Sequence, residues 1–450
     1  MCVTHNSFVL ALFVMCYGVH SAAHHTRDIS TIRNTWSFSP SSDPYWGIQV
    51  LAPPPAQGNA SSTSSTVFMI VGSSSTGAGN LTSLNATDGT TMWTVTLDSL
   101  RCATGYLGSI KLYAFGAQRD NNNKVVLDCT VNCNNCGIIA VHANNGSSAW
   151  RISATGTSEL FNGVTGTNDH GECILYTQYL TSSNNGVVEI AAIRVSDGTF
   201  VWRKHVPRWP EQTFLSSNQV LVFCPTQVAM FALNATDGSD LWNRTFPHSN
   251  IWMFGHTLLY SNANGGLCAV DVATNRTIWN QTTTVAWYAS SAFATPDENV
   301  VVVVGGSTHA AGMNLLTGDS TFFFALNGST NFFTQSVVNN RYLIWVESIG
   351  GMTVVDVLSG QKLWTTSYPC NFDLYTCHPP RNFAAVVGSA VFLSLPDSQG
   401  SGGNVTAFDS STGEKLSGPT PFVSTPGTPN VVALNNVAAF YIGNALTAFS

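Results

Sequence analysis

Charged residues are scarce along this chain of 450 residues. Only 9% of the residues are Asp, Glu, Lys or Arg, and the formal net charge is −7. A surface that binds nucleic acid needs clustered Lys and Arg to neutralise phosphates, and an anionic membrane attracts the same cations. The composition therefore disfavours nucleic acid and anionic membranes as partners.

Long apolar runs and helical periodicity are also lacking. No stretch repeats apolar residues at the spacing of an amphipathic helix, which excludes helical repeats. The apolar run at residues 8–15 is shorter than the roughly 20 residues of a membrane span, and small residues follow it at 21–23. We therefore expect a signal peptide over residues 1–23, a mature domain over residues 24–450, no membrane span, and export to the extracellular space or the lumen of the secretory pathway. A signal anchor is the alternative, because only His5 and the amino terminus could supply charge before the run.

A motif of strand, tight turn and aromatic ring recurs eight times, most clearly at residues 83–93 and 232–242. The turn position is filled by Gly89, Gly146, Gly198, Gly238, Asn275, Gly318, Gly360 and Gly413. The rings that follow are Trp93, Trp150, Trp202, Trp242, Trp279, Phe322 and Trp364, and the eighth copy has Leu416 instead. Gly and Asn accept positive φ at little cost, so the chain can reverse within a few residues. A ring in every unit indicates packing between units rather than stacking on a cofactor.

The spacing of the motif indicates the architecture. Successive turn positions are 37 to 57 residues apart, which brackets the roughly 40–50 residues of a four-stranded propeller blade. Runs rich in Val, Ile and Phe, such as residues 67–71 and 300–304, are typical of strands. The sequence predicts an all-β fold, a single β-propeller of four-stranded blades. Counting gives eight complete units plus one shared unit, in which residues 29–38 could pair with the C-terminal segment to close the ring.

The pattern Ala-(Leu/Val)-(Asp/Asn)-x-x-(Thr/Asp)-Gly-x-x-x-Trp, present over about residues 81–416, resembles the PQQ-like (quinoprotein-type) β-propeller repeat. Resemblance to this family favours eight blades, and seven or nine are the alternatives. That family includes alcohol dehydrogenases that depend on pyrroloquinoline quinone (PQQ) and the bacterial outer-membrane assembly lipoprotein. For the enzymes, the resemblance implies a quinone, a Ca²⁺ ion, a carboxylate base and a pair of adjacent cysteines. This chain has no adjacent cysteine pair. We therefore predict no catalytic or metal-ligating residue, and we leave the cofactor-binding residues unassigned.

These observations favour a secreted, non-catalytic binding or scaffolding protein with an unidentified protein or glycan partner and no cofactor. The alternative is a PQQ-dependent alcohol or sugar dehydrogenase, which would bind PQQ and Ca²⁺. The oligomeric state stays open.

Nine cysteines follow residue 23, and an odd number leaves at least one without an intramolecular partner. Disulfides are the default in an exported protein. The candidates are the local pair Cys370 and Cys377 and the cluster Cys129, Cys133 and Cys136. The cluster's spacing also resembles the motif of radical S-adenosylmethionine enzymes, and its last two cysteines resemble half a zinc site. An oxidising compartment disfavours the first reading, and the lack of a complementary ligand pair nearby disfavours the second.

Ten Asn-x-Ser/Thr sequons follow residue 23, and each is a candidate for N-glycosylation in a secretory pathway. They lie at Asn59, Asn80, Asn85, Asn145, Asn234, Asn243, Asn275, Asn280, Asn327 and Asn404. Several fall on the repeat turn, where Asn is also useful for its hydrogen bonds to the backbone. We therefore expect part of the set to carry glycan.

Overall fold

The computed structural model of the chain consists of short strands joined by turns. It describes residues 34–38, 44–46, 50–51, 66–73, 79–85, 87–96, 110–115, 124–129, 137–153, 163–168, 171–180, 188–206, 210, 212–216, 218–224, 228–247, 251–261, 266–281, 289–294, 300–305, 309–325, 332–338, 342–347, 351–367, 384–387, 389–396, 402–416, 420–423, 431–434, 437–442 and 445–449. Within these ranges every regular element is a strand. The predicted all-β fold class is confirmed.

The strands are two to eight residues long and rich in β-branched and aromatic residues, which fit a pleated surface. In the first half of the chain they are β1 Asn34–Phe38, β2 Pro44–Trp46, β3 Val50–Leu51, β4 Thr66–Ser73, β5 Gly79–Asn85, β6 Thr91–Thr96, β7 Ile110–Phe115, β8 Lys124–Cys129, β9 Gly137–His142, β10 Ser148–Ser153, β11 Val164–Thr167, β12 Cys173–Leu180, β13 Val188–Arg194, β14 Phe200–Val206, β15 Gln212–Ser216, β16 Gln219–Cys224, β17 Ala229–Asn234 and β18 Asp240–Thr245. In the second half they are β19 Ile251–Phe254, β20 Thr257–Ser261, β21 Leu267–Asp271, β22 Arg276–Gln281, β23 Ala289–Ala294, β24 Val300–Gly305, β25 His309–Asn314, β26 Ser320–Ala325, β27 Phe332–Val338, β28 Tyr342–Glu347, β29 Gly351–Asp356, β30 Gln361–Ser367, β31 Ala384–Val387, β32 Ala390–Pro396, β33 Gly402–Asp409, β34 Thr420–Val423, β35 Val431–Leu434, β36 Val437–Ile442 and β37 Ala445–Phe449.

Consecutive strands pair antiparallel into four-stranded sheets. Seven sheets are simple meanders, formed by β7–β10, β11–β14, β15–β18, β19–β22, β23–β26, β27–β30 and β31–β34. In the first motif-bearing sheet, β2 and β3 both pair with β4, which is followed by β5 and β6. Each sheet corresponds to one copy of the repeat, because the motif's turn joins the third strand of the sheet to the fourth.

The remaining sheet combines both ends of the described chain. Strand β1 pairs antiparallel with β37, with Trp36 opposite Ala448 and Phe38 opposite Leu446, and β36 and β35 follow. This is the pairing that the sequence predicts for closure of the ring. The described strands thus form nine sheets, of which eight carry the motif. The favoured number of eight blades is not confirmed.

The core lies between neighbouring sheets. Strands β16 and β20, second in their sheets, are buried at every residue, whereas the outermost strand β18 is mainly exposed. One cluster joins β12–β14 to β16 and β17 through Tyr176, Ile190 and Val222, and the next joins β16 and β17 to β20 and β21. Sheets that are apolar on both faces bury most of that surface only when they are flanked on both sides, as a propeller provides.

A meander places its connections at two ends of each sheet. The turns between the first and second strands and between the third and fourth strands lie at what we call the turn end. The connections between the second and third strands and from sheet to sheet lie at the opposite connection end. Residues 97–109 and 368–383 each join one sheet to the next and lie outside the described ranges. In the described part of the chain, no helix has the length and apolar character needed to cross a membrane.

Candidate functional site

The eight repeat turns share one backbone conformation. Each turn position has positive φ: Gly89 71°, Gly146 70°, Gly198 76°, Gly238 73°, Asn275 54°, Gly318 78°, Gly360 69° and Gly413 71°. In the fourth copy, the Gly238 N–H donates to the carbonyl of Asn234 at 2.8 Å, and the Asn234 side-chain oxygen accepts from the backbone N–H of Thr236. The turn therefore satisfies its own backbone groups and leaves the next strand in a fixed direction.

Six of the seven turn glycines lie against the ring of the preceding sheet. A Cβ added at Gly238 would be 2.7 Å from Cδ2 of Trp202, and the Trp202 indole N–H donates to the carbonyl of Ala235 in the same turn at 2.8 Å. The arrangement recurs between Trp93 and Gly146, Trp150 and Gly198, Trp279 and Gly318, and Trp364 and Gly413. The indole N–H groups there donate to the carbonyls of Ala143, Val195, Leu315 and Ser410. Phe322 packs on Gly360 in the same way without a polar group.

The repeat tryptophans thus form their hydrogen bonds within the protein. Every described repeat indole has an internal acceptor, and five of the six reach across to the next sheet. A ring that faces the following turn at van der Waals distance offers no free face there for stacking on a cofactor. The series holds adjacent sheets together.

The junction between sheets β15–β18 and β19–β22 departs from this pattern. Trp242 is only half-buried, and its indole N–H donates to Oε1 of Gln219 in its own sheet at 3.1 Å. Gln219 in turn donates through Nε2 to the carbonyl of Ala273, in the following turn, at 3.5 Å. That turn has Asn275 where the others have Gly. Because a Cβ at the other turn positions would overlap the facing ring, Asn275 cannot receive Trp242 in the same place.

Arg244 fills part of this junction. Its guanidinium donates to the backbone and side-chain oxygens of Asn275 at 3.3 Å each, and to Oγ1 of Thr277 at 3.1 Å. It also lies about 6 Å from the ring centroids of Phe246 (5.9 Å) and Tyr260 (6.0 Å), within range of a cation–π contact. Burial raises the pKa of Tyr260 to about 12, with a further contribution from its hydrogen bond with Cys268. Tyr260 therefore stays protonated at physiological pH.

A buried carboxylate lies near the connection end. The side chain of Glu189 is 11% exposed, and its Oε2 accepts from Nε of Arg203 at 2.8 Å and from Nη2 of the same residue. Its Oε1 lies 3.5 Å from Nε2 of His205, whose side chain is 69% exposed. A carboxylate held this closely by a guanidinium is a structural ion pair, while His205 presents a polar side chain to solvent.

A second polar group at the connection end joins two sheets. Gln178 is fully buried and donates through Nε2 to Oγ1 of Thr213 in the next sheet at 3.4 Å. Within the described part of the chain, its Oε1 has no hydrogen-bond partner. Buried amide groups of this kind specify how two sheets align, because any other alignment would leave more polar atoms unsatisfied.

Ser216 and His256 form a serine–histidine contact at the turn end. Ser216 Oγ lies 3.1 Å from Nδ1 of His256, but it donates to the carbonyl of Gly255 at 2.7 Å. A nucleophilic serine must give its proton to the histidine. Here the hydroxyl proton is directed to a backbone carbonyl, so the pair fixes the turn between β19 and β20.

The carboxylates of the repeat turns are stabilised in their charged form. Hydrogen bonds from the side chain and backbone of the residue two positions later lower the pKa of Asp88, Asp197 and Asp237. Burial opposes the effect at Asp409, but hydrogen bonds from Ser411 and Thr412 outweigh it and the pKa is lowered there too. These carboxylates therefore shape the turns as charged acceptors rather than as proton donors.

The cysteines and sequons fall partly outside the described residues. The described cysteines Cys173, Cys224 and Cys268 are not in disulfides. Of the disulfide candidates, Cys133, Cys136, Cys370 and Cys377 lie outside the described ranges, and only the backbone of Cys129, at the end of β8, lies within them. The proposed pairings stay predictions.

The described sequon asparagines differ in exposure. Asn145, Asn243 and Asn280 are exposed; Asn80, Asn85, Asn234 and Asn275 are half-buried. Asn59 and Asn327 lie outside the described residues, and Asn404 lies in β33 with its side chain outside them. The sequence does not distinguish these positions, because a sequon on an outer strand and one in a turn have the same consensus.

The described residues contain no group of three or more His, Cys, Asp or Glu that could hold a metal ion. The described repeat tryptophans contact neighbouring turns, and the buried carboxylate of Glu189 binds Arg203. The described repeat tryptophans and Glu189 are therefore engaged in contacts within the protein.

The sequence matches a known family over almost all of the described fold. The model of the PQQ_2 family, described as outer membrane protein assembly factor BamB, matches residues 34–219, 134–250 and 227–439. The chain belongs to this family. The matched segments together span the repeat from β1 to the last sheet, so the PQQ_2 repeat accounts for the turns and rings described above.

Several solved structures are similar to this PQQ_2 chain. BamB from Moraxella catarrhalis is 14% identical, covers 93% of this chain and 98% of its own, and has a TM-score of 0.45. A quinohemoprotein alcohol dehydrogenase from Pseudomonas putida HK5 is 13% identical, with coverage of 93% and 76% and a TM-score of 0.45. The computationally designed protein Ika8 is 10% identical, with coverage of 92% and 98% and a TM-score of 0.48. A search of the curated proteins gave no match. Family membership therefore rests on the PQQ_2 match.

Proposed function

We propose that this chain is a secreted, non-catalytic β-propeller that binds a protein or glycan partner and acts as a scaffold. The proposal rests on one observation: the repeat tryptophans are engaged in contacts within the protein. Each described indole N–H is bonded inside the protein, and the glycine of the next turn closes one face of most rings. The family description, an assembly factor, supports a role in holding other proteins.

The connection end is the better candidate for the contact surface. Described turns at the opposite end are short and close on their own backbone, as at Asn234 and Gly238. At the connection end, the exposed His205 lies beside the buried Glu189, which the ion pair with Arg203 holds in place. Binding residues are enriched on surface segments that a rigid scaffold positions. The low charge of the chain favours a partner recognised by hydrogen bonds and apolar contact rather than by charge alone.

Affinity capture with the full chain tests the proposal and the face together. The secreted protein is immobilised and incubated with native extracellular fluid, and bound proteins and glycans are identified after chemical cross-linking. His205→Ala changes the connection end, and Leu316→Ser, at a 63% exposed turn residue, is the matched control at the turn end. We expect the same partner in repeated captures, weaker recovery with His205→Ala and unchanged recovery with Leu316→Ser. Loss with Leu316→Ser alone would move the surface to the turn end.

A cofactor titration tests the opposing function. PQQ and Ca²⁺ are added to the purified chain, and the quinone absorbance, dye reduction with alcohols and aldoses, and the melting temperature are followed. A ligand that binds only the native state raises the melting temperature as its concentration rises. We expect no change in any of the three. Bound quinone with substrate-dependent dye reduction would replace the binding role with a dehydrogenase.

A further inference from the structure

The outermost strands of the motif-bearing sheets are exposed sheet edges. In two neighbouring sheets, β18 and β22 stand last in the strand order and pair through their inner sides with β17 and β21. An exposed edge presents backbone N–H and C=O groups to any other strand, and natural sheets limit such pairing with charged or bulky groups.

The residue after the repeat tryptophan shows how four successive edges differ. In β10 and β14 this position holds the exposed residues Arg151 and Arg203. In β18 and β22 it holds Asn243 and Asn280, which are also exposed. Both asparagines begin a sequon. The sequons therefore occupy the register position that arginine holds in the two preceding sheets.

Each of these asparagines has an exposed apolar neighbour two residues earlier in its strand. Leu241 precedes Asn243 by two residues and is 46% exposed, and Ile278 precedes Asn280 by two residues and is 38% exposed. Both apolar residues lie at a bulge, where the register to the inner strand shifts by one residue. A sugar attached at either asparagine would stand beside an apolar side chain at an open edge. The hydroxyl residue of the first sequon, Thr245, is exposed as well.

Other described sequons lack this arrangement. At the sequon of Asn80, the hydroxyl residue Thr82 is only 4% exposed, and its Oγ1 shares a hydrogen bond with Oγ1 of Thr94. Asn85 and Asn234 are half-buried and cap turns through their side-chain oxygens. Asn145 is exposed too, but it lies in a turn, where its side-chain oxygen accepts from the backbone N–H of Ser147. The edge sequons are thus distinguished by the combination of exposure and strand position.

We propose that Asn243 and Asn280 carry N-linked glycans that shield the edges of β18 and β22. The inference rests on the export that the proposed function requires. In the transfer, Nδ2 of each asparagine loses a proton and bonds to the anomeric carbon of the oligosaccharide. A lipid-linked diphosphate donor of the secretory pathway supplies that sugar, and the lipid diphosphate leaves. The glycans take the place of the arginines at the equivalent edges.

Site occupancy is measured on the full chain secreted from eukaryotic cells. Enzymatic deglycosylation in H₂¹⁸O converts each occupied asparagine to ¹⁸O-labelled aspartate, which peptide mass spectrometry locates. We expect label at Asn243 and Asn280. Thr245→Ala and Thr282→Ala should each remove one glycan and so lower the apparent mass on electrophoresis by one step. The controls Thr245→Ser and Thr282→Ser keep the sequon and should keep the wild-type apparent mass. A secreted protein in which neither Asn243 nor Asn280 acquires the ¹⁸O label would overturn the inference.

Two further arms separate this inference from the proposed function. In the first, the full chain follows the leader of a known secreted protein, so that glycan transfer is tested even if residues 1–23 fail to direct export. Failure of the native leader alone would overturn secretion and leave the glycan sites standing. In the second, the double Thr→Ala variant is compared with wild type by size-exclusion chromatography with light scattering. We expect more soluble oligomer from the variant, and an unchanged profile would overturn the shielding role.

Discussion

Trp202 and Gly238 form the contact that joins two neighbouring sheets. The ring lies where a Cβ of residue 238 would be, 2.7 Å from Cδ2, and its N–H donates to the same turn at Ala235. Glycine is required at position 238 for two reasons: φ is +73°, and the ring leaves no room for a side chain. The turn at Gly238 therefore reverses the chain and also provides the surface on which Trp202 of the preceding sheet packs.

Gly238→Ala should destabilise the fold. The left-handed conformation costs an L-residue roughly 1–2 kcal/mol, and the displaced Trp202 ring adds to this. Leu241→Ala, at an exposed position of the following strand, is the control and should stay within about 0.5 kcal/mol of wild type. Denaturant unfolding followed by tryptophan fluorescence measures both. Equal midpoints for the two variants would contradict the contact.

Trp202→Ala and Trp242→Ala should differ, although the sequence motif is the same around both. Trp202 is 8% exposed, so its truncation should cost about 3–5 kcal/mol, as for other buried aromatic residues. Trp242 is half-buried and bonds to Gln219 of its own sheet, so its loss should cost less. Urea midpoints of the two variants, measured with equal m-values, give the comparison. A larger loss at Trp242 would show that the junction at Asn275 is as tight as the one at Gly238.

The sequence predicts the strands and turns well because both depend on local chemistry. A glycine after Asp, Ser or Thr accepts positive φ wherever it occurs, so the turn at Gly89 and the one at Gly413 can be found one at a time. The propeller follows from the spacing, since a ring in each unit needs a neighbour to cover it. Membership in the PQQ_2 family confirms the resemblance.

The remaining features depend on residues that are distant in the sequence. The ninth sheet requires Trp36 to meet Ala448, and no local pattern specifies that register. Glu189 and Arg203 carry no motif; they meet because β13 and β14 pair, with Glu189 opposite His205 and Arg203 opposite Ala191. The effect of Asn275 on Trp242 appears only when the two sheets are side by side. A partner surface is harder still, because family and fold do not specify it.

A double-mutant cycle tests the altered junction. Gln219→Ala should leave the Trp242 indole N–H without its acceptor, which costs about 1–3 kcal/mol when the group is buried and less here because Trp242 is half-buried. Asn275→Gly removes the Cβ and should let the ring approach the turn. The cost of Gln219→Ala should then fall, because a turn carbonyl becomes available to the indole. Additive effects in the cycle, measured by denaturant unfolding, would show that Asn275 does not direct Trp242.

Acid should weaken the repeat turns. The pKa values of Asp88, Asp197, Asp237 and Asp409 are lowered in the folded state. Hydrogen bonds to the charged carboxylate are the main cause at the first three. At Asp409 burial raises the pKa, and the hydrogen bonds outweigh this effect. Their contribution to stability is therefore present above the unfolded value of about 3.9 and is lost as the pH falls through the lower folded values. We expect the melting temperature to drop as the pH falls below about 4, with the four turns contributing together.

The variant Asp197→Asn/Asp237→Asn separates the turns from general acid unfolding. It is compared with wild type after production in a host without N-glycosylation, because each substitution creates an Asn-Gly-Ser/Thr sequon. Asparagine keeps a side-chain oxygen for the backbone N–H groups of Thr199 and Ser239, but it has no charge to lose. The variant should be less stable than wild type at pH 7 and should lose less stability between pH 7 and pH 3. Glu414→Gln, which removes one exposed carboxylate next to the last turn glycine, is the control and should follow the wild-type curve more closely. The deciding quantity is the difference in melting temperature between the two pH values. If the double variant and wild type lose the same amount, the turn hydrogen bonds do not couple folding to protonation.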